Sequence, residues 1–201
     1  MNPHDLLWGL RPEHLAANAP DWAQQVLLAG QPVVVRRALV AAGRVAVGVR
    51  GAQRSQRWAA ELPVACVQRR CRPEQLRVAG EAKLPALQAL QAVAPLLEAT
   101  GLGWGPTGGV GYQLATGVAV LHGDSDLDLV VRTHARWSRS RAQALFQALA
   151  ALSCRVDLQL ETPQGAVALG DWAGTARRVL LKRHEGACLV EDPWACAEVP
   201  A

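Results

Sequence analysis

The sequence lacks the features that mark several protein classes. Its 201 residues include one phenylalanine, one tyrosine and two lysines, and no aromatic residues are interleaved with a basic patch, so nucleic acid is not an expected partner. No stretch reaches the roughly 18 unbroken apolar residues of a membrane span. The N-terminus also lacks the basic start and apolar run of a signal peptide. We therefore expect a cytoplasmic protein without a membrane partner.

The cysteine pattern gives no sign of a cross-linked or zinc-bound fold. Five cysteines, an odd number, fall at positions 66, 71, 154, 188 and 196, and no two form a C-x-x-C pair. This spacing favours reduced thiols. At 201 residues, half of them apolar, the chain is long enough to bury the core of one large domain or of two small ones.

Positive charge is concentrated in one part of the chain. The formal net charge is +4, yet residues 36–77 contain ten arginines and only two acids, Glu61 and Glu74. This segment is a candidate for contact with an anion. An equally good interpretation is a set of solvated faces, because arginine outnumbers lysine throughout the chain.

The hydrophobic pattern of the first 80 residues indicates a small α+β domain. Gly30 and Pro63 are placed where each would end a helix. The predicted elements are a helix at 21–28, strands at 32–37 and 44–50, and a helix at 55–62. A boundary near residues 78–83 divides the chain into domains of residues 1–80 and 81–201.

The second domain alternates helical and strand patterns. Apolar residues recur at helical spacing through residues 84–97, and Gly101 follows where a helix end favours a left-handed residue. The glycine-dense segment GLGWGPTGGVG, residues 101–111, leads into an apolar segment at 112–115. The later predicted elements are a strand at 127–131, a helix at 138–152, and strands at 154–161, 178–182 and 187–191. A helix between the first two of these strands would bring them side by side in one sheet.

The sharpest chemical feature is the pair Asp126 and Asp128 at the start of a predicted strand. Because side chains alternate between the faces of a strand, the two carboxylates lie on one side, about 6 to 7 Å apart, while Leu127 and Leu129 enter the core. Two like charges on one face repel, and this cost is tolerable where a divalent cation binds. The oxygen ligands suit Mg²⁺, which takes one or two protein carboxylates plus substrate phosphates. A bare D-x-D pair is also common on a solvated strand face.

Two other features favour the functional interpretation of the aspartate pair. Asp157 lies between apolar residues on the strand after the intervening helix, where it would serve as a third metal ligand or accept a proton from an attacking hydroxyl. Upstream, the backbone N–H groups of Thr107, Gly108 and Gly109 are candidates to cradle leaving phosphates, because glycine permits close approach. Together these features predict displacement chemistry at phosphorus.

The order of these motifs resembles the signature of the DNA polymerase β-like nucleotidyltransferase superfamily: a glycine pair, a D-x-D strand, a helix and a later single aspartate. The string GPTGGVGYQLATGVAVLHGDSDLDLVVR, residues 105–132, is similar to the phosphoribosyl-dephospho-coenzyme A transferases of malonate decarboxylase, also called its holo-acyl-carrier-protein synthases. HDLLW at residues 4–8 and VGVRG at 47–51 are similar too. The resemblance implies an α+β fold, with a nucleotidyltransferase-like mixed sheet and flanking helices preceded by a small α+β N-terminal domain.

The resemblance also implies a defined reaction. Enzymes of this family transfer the 2′-(5″-phosphoribosyl)-3′-dephospho-coenzyme A group from triphosphoribosyl-dephospho-coenzyme A to a serine of the acyl carrier subunit of malonate decarboxylase, and they release pyrophosphate. On this sequence, Asp126 and Asp128 would hold Mg²⁺ and Asp157 would be the third ligand or the base. Arg132 and the arginines of residues 36–77 are candidates to contact the coenzyme phosphates or an acidic carrier protein.

One position departs from the family pattern, which has serine where this chain has Gly109. A hydroxyl donor to the leaving phosphates is then missing, so Thr107 or the backbone would have to supply that contact. Two alternatives to the reaction stay open. One is a nucleotidyltransferase with a small-molecule acceptor, and the other is a non-catalytic assembly factor for the decarboxylase.

Overall fold

The β-strands form two sheets in this computed structural model, which describes residues 1–53 and 55–195. The strands of the first sheet are all antiparallel to their neighbours. They are β1 (Leu6–Trp8), β2 (Val33–Val35), β3 (Arg44–Arg50), β4 (Arg57–Pro63) and β5 (Arg69–Cys71), and their spatial order is β4-β3-β2-β1-β5. Helix α1 (Asp21–Leu28) buries Ala23 and Leu27 in the core of this sheet, and Gly30 follows with a φ of +69°. This arrangement confirms the predicted helix at 21–28 and the strands at 32–37 and 44–50.

The predicted helix at 55–62 is wrong. That segment forms β4, which pairs with β3 along its whole length, from Arg57 opposite Arg50 to Pro63 opposite Arg44. Its side chains alternate with a period of two, since Trp58, Ala60 and Leu62 turn toward the core while their neighbours are exposed. Pairing with a strand thus outweighs the helix propensity of the segment.

The second sheet is mixed, as predicted. Its strands are β6 (Trp104–Pro106), β7 (Leu127–Arg132), β8 (Val156–Thr162), β9 (Gly165–Ala168), β10 (Val179–Lys182) and β11 (Ala187–Val190), in the order β11-β10-β9-β8-β7-β6. The helices are α2 (Pro85–Glu98), α3 (Gly108–Thr116), α4 (Arg139–Ala150) and α5 (Leu169–Ala173). Only β7 and β8 are parallel among the described strand pairs. The α+β fold class is therefore confirmed.

Helix α4 explains why β7 and β8 lie side by side. It begins at the Ser138 cap, whose hydroxyl accepts a hydrogen bond from the Arg141 N–H, and it crosses over one face of the sheet. Leu127 and Leu129 enter the core on that face and are almost fully buried. Asp128 is on the opposite face, as the alternation predicted.

The described cysteines are not cross-linked. Four cysteines (Cys66, Cys71, Cys154 and Cys188) are free thiols, as predicted. Cys196 lies outside the described residues, as does Arg54 of the arginine-rich segment. Among the described helices, none combines the length with the apolar character that a membrane span requires.

The two sheets are joined by a buried set of ion pairs, called here the interface network. Arg132, whose side chain is 14% exposed, donates from Nε to Glu74 Oε1 at 2.8 Å, and its Nη1 lies 3.8 Å from Glu161 Oε2. Arg37 also pairs with Glu161, and Asp5 lies 4.0 Å from Arg132. The network consists of Asp5, Arg37, Glu74, Arg132 and Glu161, and it joins residues of both sheets.

We expect Glu161→Gln to lower the free energy of unfolding by about 2 kcal/mol, because it leaves the buried charges of Arg37 and Arg132 without their shared carboxylate. For a chain of this length the melting temperature should fall by about 4 to 8 °C. Glu191→Gln is the matched control, since its pair with Arg177 is exposed and worth about 0.5 kcal/mol or less. Equal losses in the two variants, measured by urea unfolding, would contradict this role of the network.

His4 makes the interface sensitive to acid. Burial, together with the charges of Arg37, Arg132 and Lys182, lowers the pKa of His4 from 6.5 to about 4. The unfolded chain therefore binds a proton between these pH values while the folded chain does not, so the free energy of unfolding falls as pH drops from about 6.5 toward 4. Each unit of pKa difference corresponds to about 1.4 kcal/mol. Because 24% of the His4 side chain is exposed, we expect a loss of about 2 kcal/mol rather than the full value.

His4→Asn isolates this effect, because asparagine tolerates the φ of +74° at this position. Unfolding by urea at pH 7 and pH 4.5 should show a smaller loss of stability in the variant than in the wild type, by about 2 kcal/mol. The same pH dependence in both proteins would show that His4 does not carry the effect.

Candidate active site

A cavity of about 680 Å³ lies between the two sheets and is called here the cleft. Its wall includes Arg50 and Arg57 of the first sheet and Arg36, which follows β2. Thr107 and Gly108, at the start of α3, line it from the other side. Its volume is in the range of small-molecule and cofactor sites. Tyr112, Gln159, Lys182 and Arg183 also line the cleft.

The fold places two of the predicted acids, Asp128 and Asp157, side by side at one end of two strands. Asp128 of β7 is directly opposite Asp157 of β8 in the parallel register, so both side chains are on the same face of the sheet. Asp126 precedes β7, and both it and Asp128 are half-buried. Asp157 is 47% exposed and lies 3.1 Å from the guanidinium of Arg155.

The glycine segment lies against Asp128. The Thr107 N–H donates to the Asp128 carbonyl oxygen at 2.8 Å. Gly108 has a φ of +56°, and a Cβ at this position would overlap the Asp128 carboxylate. Residues 108–111 form the first turn of α3 rather than an open loop, and Gly111 is required there because a Cβ would lie 2.6 Å from the Pro106 carbonyl oxygen.

The start of α3 supplies donors for an anion. The first N–H groups of a helix have no partner within the helix, and the helix dipole favours negative charge at this end. The N–H groups of Gly108 and Gly109 therefore suit phosphate oxygens beside Asp128. This geometry supports the predicted cradle, but whether substrate contacts Thr107, Gly108 and Gly109 stays a prediction.

Arg50 brings a positive charge to the same place. Its guanidinium lies 5.5 Å from the centre of the Tyr112 ring, and its Nη2 would be 3.5 Å from a Cβ on Gly109. Burial and the charge of Arg57 lower the pKa of Arg50, while Tyr112 and Asp128 act in the opposite direction. Its Nε is buried, and no residue in the described ranges accepts a hydrogen bond from it.

Arg132 occupies a different environment from the one we expected. Its guanidinium is held by Glu74 and Glu161 of the interface network and donates to the Pro3 carbonyl oxygen at 3.3 Å. Its charge is thus largely neutralised by protein groups. The predicted contact between Arg132 and substrate stays a prediction.

The predicted Mg²⁺ site on Asp126, Asp128 and Asp157 also stays a prediction. Within residues 1–53 and 55–195, no group of three or more His, Cys, Asp or Glu side chains is arranged to hold a metal ion. Asp128 nevertheless offers a carboxylate on the face of the sheet that also carries Asp157, and Asp126 lies two residues before it. That donor set fits Mg²⁺, which takes one or two protein carboxylates together with substrate phosphates.

Several cleft residues were not singled out from the sequence. Gln159 is two residues after Asp157 on the same strand face, so its position follows from the period of a strand. Arg50 stands in the VGVRG string but was considered only as one of ten arginines. No local pattern points to Lys182 or Arg183, which reach the cleft through the sheet topology.

Comparison with known proteins finds two family models that together span most of the chain. The family model described as "Phosphoribosyl-dephospho-CoA transferase MdcG N-terminal domain" matches residues 2–73, and the model for the C-terminal domain of the same protein matches residues 73–193. No solved structure matches the chain.

Curated relatives cover nearly the whole chain. A protein named phosphoribosyl-dephospho-CoA transferase from Pseudomonas putida (strain W619) is 58% identical over 199 residues, which are 99% of this chain and 98% of that protein. Proteins of the same name from Azotobacter vinelandii and Pseudomonas aeruginosa are 57% and 53% identical, over 96% and 99% of this chain and 93% and 96% of their own lengths. The chain is therefore an enzyme that belongs to the phosphoribosyl-dephospho-CoA transferase family.

Proposed function

We propose that this transferase moves the 2′-(5″-phosphoribosyl)-3′-dephospho-CoA group from its triphosphate precursor to a serine of the acyl carrier subunit of malonate decarboxylase, in the cytoplasm. The observation that carries the proposal is the contact of Gly108 with the Asp128 carboxylate. It sets an acid beside the N-terminus of α3, where Thr107 and Gly108 line a cleft of about 680 Å³. Carboxylates and free backbone N–H groups are the two kinds of group that phosphoryl-type transfer needs.

The proposed step is a displacement at the α-phosphorus of the triphosphate. The serine Oγ forms a bond to that phosphorus, and the bond to the oxygen that bridges to the β-phosphate breaks, so pyrophosphate leaves. The serine proton passes to a carboxylate, for which we propose Asp157, because its side chain is exposed beside Asp128. Before it accepts the proton, Asp157 would exchange its ion pair with Arg155 for the hydroxyl.

The remaining residues neutralise charge and position the donor. We propose that the N–H groups of Gly108 and Gly109 and the guanidinium of Arg50 contact the leaving phosphates, which makes phosphate contact a role of the N-terminal domain. Asp126 and Asp128 would hold Mg²⁺. When bound, Mg²⁺ would stabilise the negative charge that develops on the phosphate oxygens.

The mass of the carrier subunit tests this function. The apo subunit is incubated with the enzyme, Mg²⁺ and triphosphoribosyl-dephospho-CoA, and its intact mass is then measured. We expect a gain equal to the phosphoribosyl-dephospho-CoA group and release of one pyrophosphate for each group attached. A carrier in which alanine replaces the acceptor serine should gain no mass.

Two results would lead to a different function. Pyrophosphate release that depends on an added small molecule, without a gain in carrier mass, would favour the small-molecule acceptor. Absence of any donor turnover by the folded enzyme would refute the proposed donor. The non-catalytic alternative does not fit a family whose named members are transferases.

A further inference from the structure

The cleft contains a second group of cations, far from the aspartates. Lys182 at the end of β10 and Arg183 after it line the cleft together with Gly186 and Ala187 of the same hairpin. Neither cation has an ion pair among the described residues, in contrast to the arginines of the interface network. The Arg183 Nε is buried and lacks a hydrogen-bond partner in the described part of the chain. A buried, unsatisfied donor on a cavity wall indicates an anionic ligand.

The register of the second sheet gives the distance from Lys182 to the aspartates. Lys182 pairs with Ala166, which pairs with Glu161, four residues along β8 from Asp157. Four residues of strand and two strand spacings place the Cα atoms of Lys182 and Asp157 about 16 Å apart. One phosphate group cannot contact both places.

The donor carries two separate phosphate groups, and this argument rests on the proposed function. The triphosphate must lie at Asp128, because the reacting α-phosphate is there. Two linked ribose rings separate it from the diphosphate that joins adenosine to pantetheine in dephospho-CoA. That diphosphate needs its own cations, and the far end of the cleft provides them.

We propose that Lys182 and Arg183 form a second phosphate site that binds the diphosphate of the dephospho-CoA portion of the donor. Their position on the cavity wall favours a small molecule over the surface of a carrier protein. The site fixes the orientation of the donor, with the triphosphate toward α3 and the pantetheine toward the β10–β11 hairpin.

Binding of two simple probes tests this assignment without the reaction. Dephospho-CoA contains the diphosphate but no triphosphate. Inorganic triphosphate represents the triphosphate of the donor and lacks the dephospho-CoA portion. By calorimetry, Lys182→Ala and Arg183→Gln should each raise the Kd for dephospho-CoA about tenfold. The Kd for inorganic triphosphate should stay within about twofold of the wild-type value. Arg50→Gln should show the opposite pattern.

Arg177→Ala is the control, because Arg177 is 85% exposed, pairs with Glu191 and does not line the cleft. It should change neither affinity. Lys182 is exposed, so its variant is expected to fold even where Arg183→Gln is unstable.

Three results would overturn the site. In the first, the wild-type enzyme does not bind dephospho-CoA. In the second, the two variants lose affinity equally for dephospho-CoA and for inorganic triphosphate. In the third, the variants change only the KM for the carrier subunit. The last result would assign the two cations to protein docking. If the wild type still transfers the group in the mass assay, any of these results refutes the second site alone and leaves the proposed function standing.

Discussion

Asp128→Ala is expected to lower kcat for transfer to the carrier subunit about 10³-fold, a loss of about 4 kcal/mol of transition-state stabilisation. Asp128 is half-buried at the start of β7, where its carboxylate lies against Gly108. It also interacts electrostatically with Arg50. It is therefore the acid that the fold holds closest to the proposed leaving phosphates. The rate of gain in carrier mass under single-turnover conditions measures the effect.

Asp124→Ala is the matched control for this prediction. This substitution removes the same charge four residues before Asp128, but the Asp124 side chain is 91% exposed and pairs with His122 at 2.5 Å. We expect its kcat within about twofold of the wild type, since an exposed pair contributes little. Equal losses in the two variants would mean that general negative charge, rather than the position of Asp128, supports the reaction.

The placement of Asp128 beside Asp157 was predictable because its signal is local. Alternation along residues 126–131 decides which side chains enter the core, and a helix between two strands decides that they are neighbours. Asp128 and Asp157 follow from these two rules without any knowledge of the rest of the chain.

The error at residues 55–62 has a non-local cause. Ala59, Ala60, Glu61 and Leu62 favour a helix by propensity, so the local pattern was ambiguous. Strand β3 resolves it by pairing with this segment, and no window of the sequence shows that partner.

The interface and the cleft could not be derived for a similar reason. Arg132 follows the aspartate strand, which suggested contact with substrate, but Asp5, Glu74 and Glu161 come from distant parts of the chain and pair with it. Likewise, the position of Arg50 beside Tyr112 and Gly109 arises because the first sheet packs over the start of α3.

Gly108→Ala is expected to lower kcat about 10²-fold, the scale of loss from a misplacement of about 1 Å at a reacting centre. An alanine Cβ would occupy the space of the Asp128 carboxylate, so that the carboxylate or the start of α3 must move. Alanine at a φ of +56° also costs about 1 to 2 kcal/mol of stability. Single-turnover transfer and urea unfolding measure the two effects separately.

Gly109→Ser is the control for this prediction. It tests whether a loss of kcat comes from displacement of the Asp128 carboxylate or from any side chain added to this turn. Gly109 does not have a positive φ, and its Cβ would meet only a Leu121 methyl at 3.0 Å and the Arg50 Nη2 at 3.5 Å, both at the ends of flexible side chains. The serine also supplies the hydroxyl that the family resemblance of the sequence leads us to expect, so we expect kcat at or above the wild-type value. If Gly109→Ser were as slow as Gly108→Ala, the whole turn would be intolerant of side chains. The contact between Gly108 and Asp128 would then no longer be the feature on which catalysis depends.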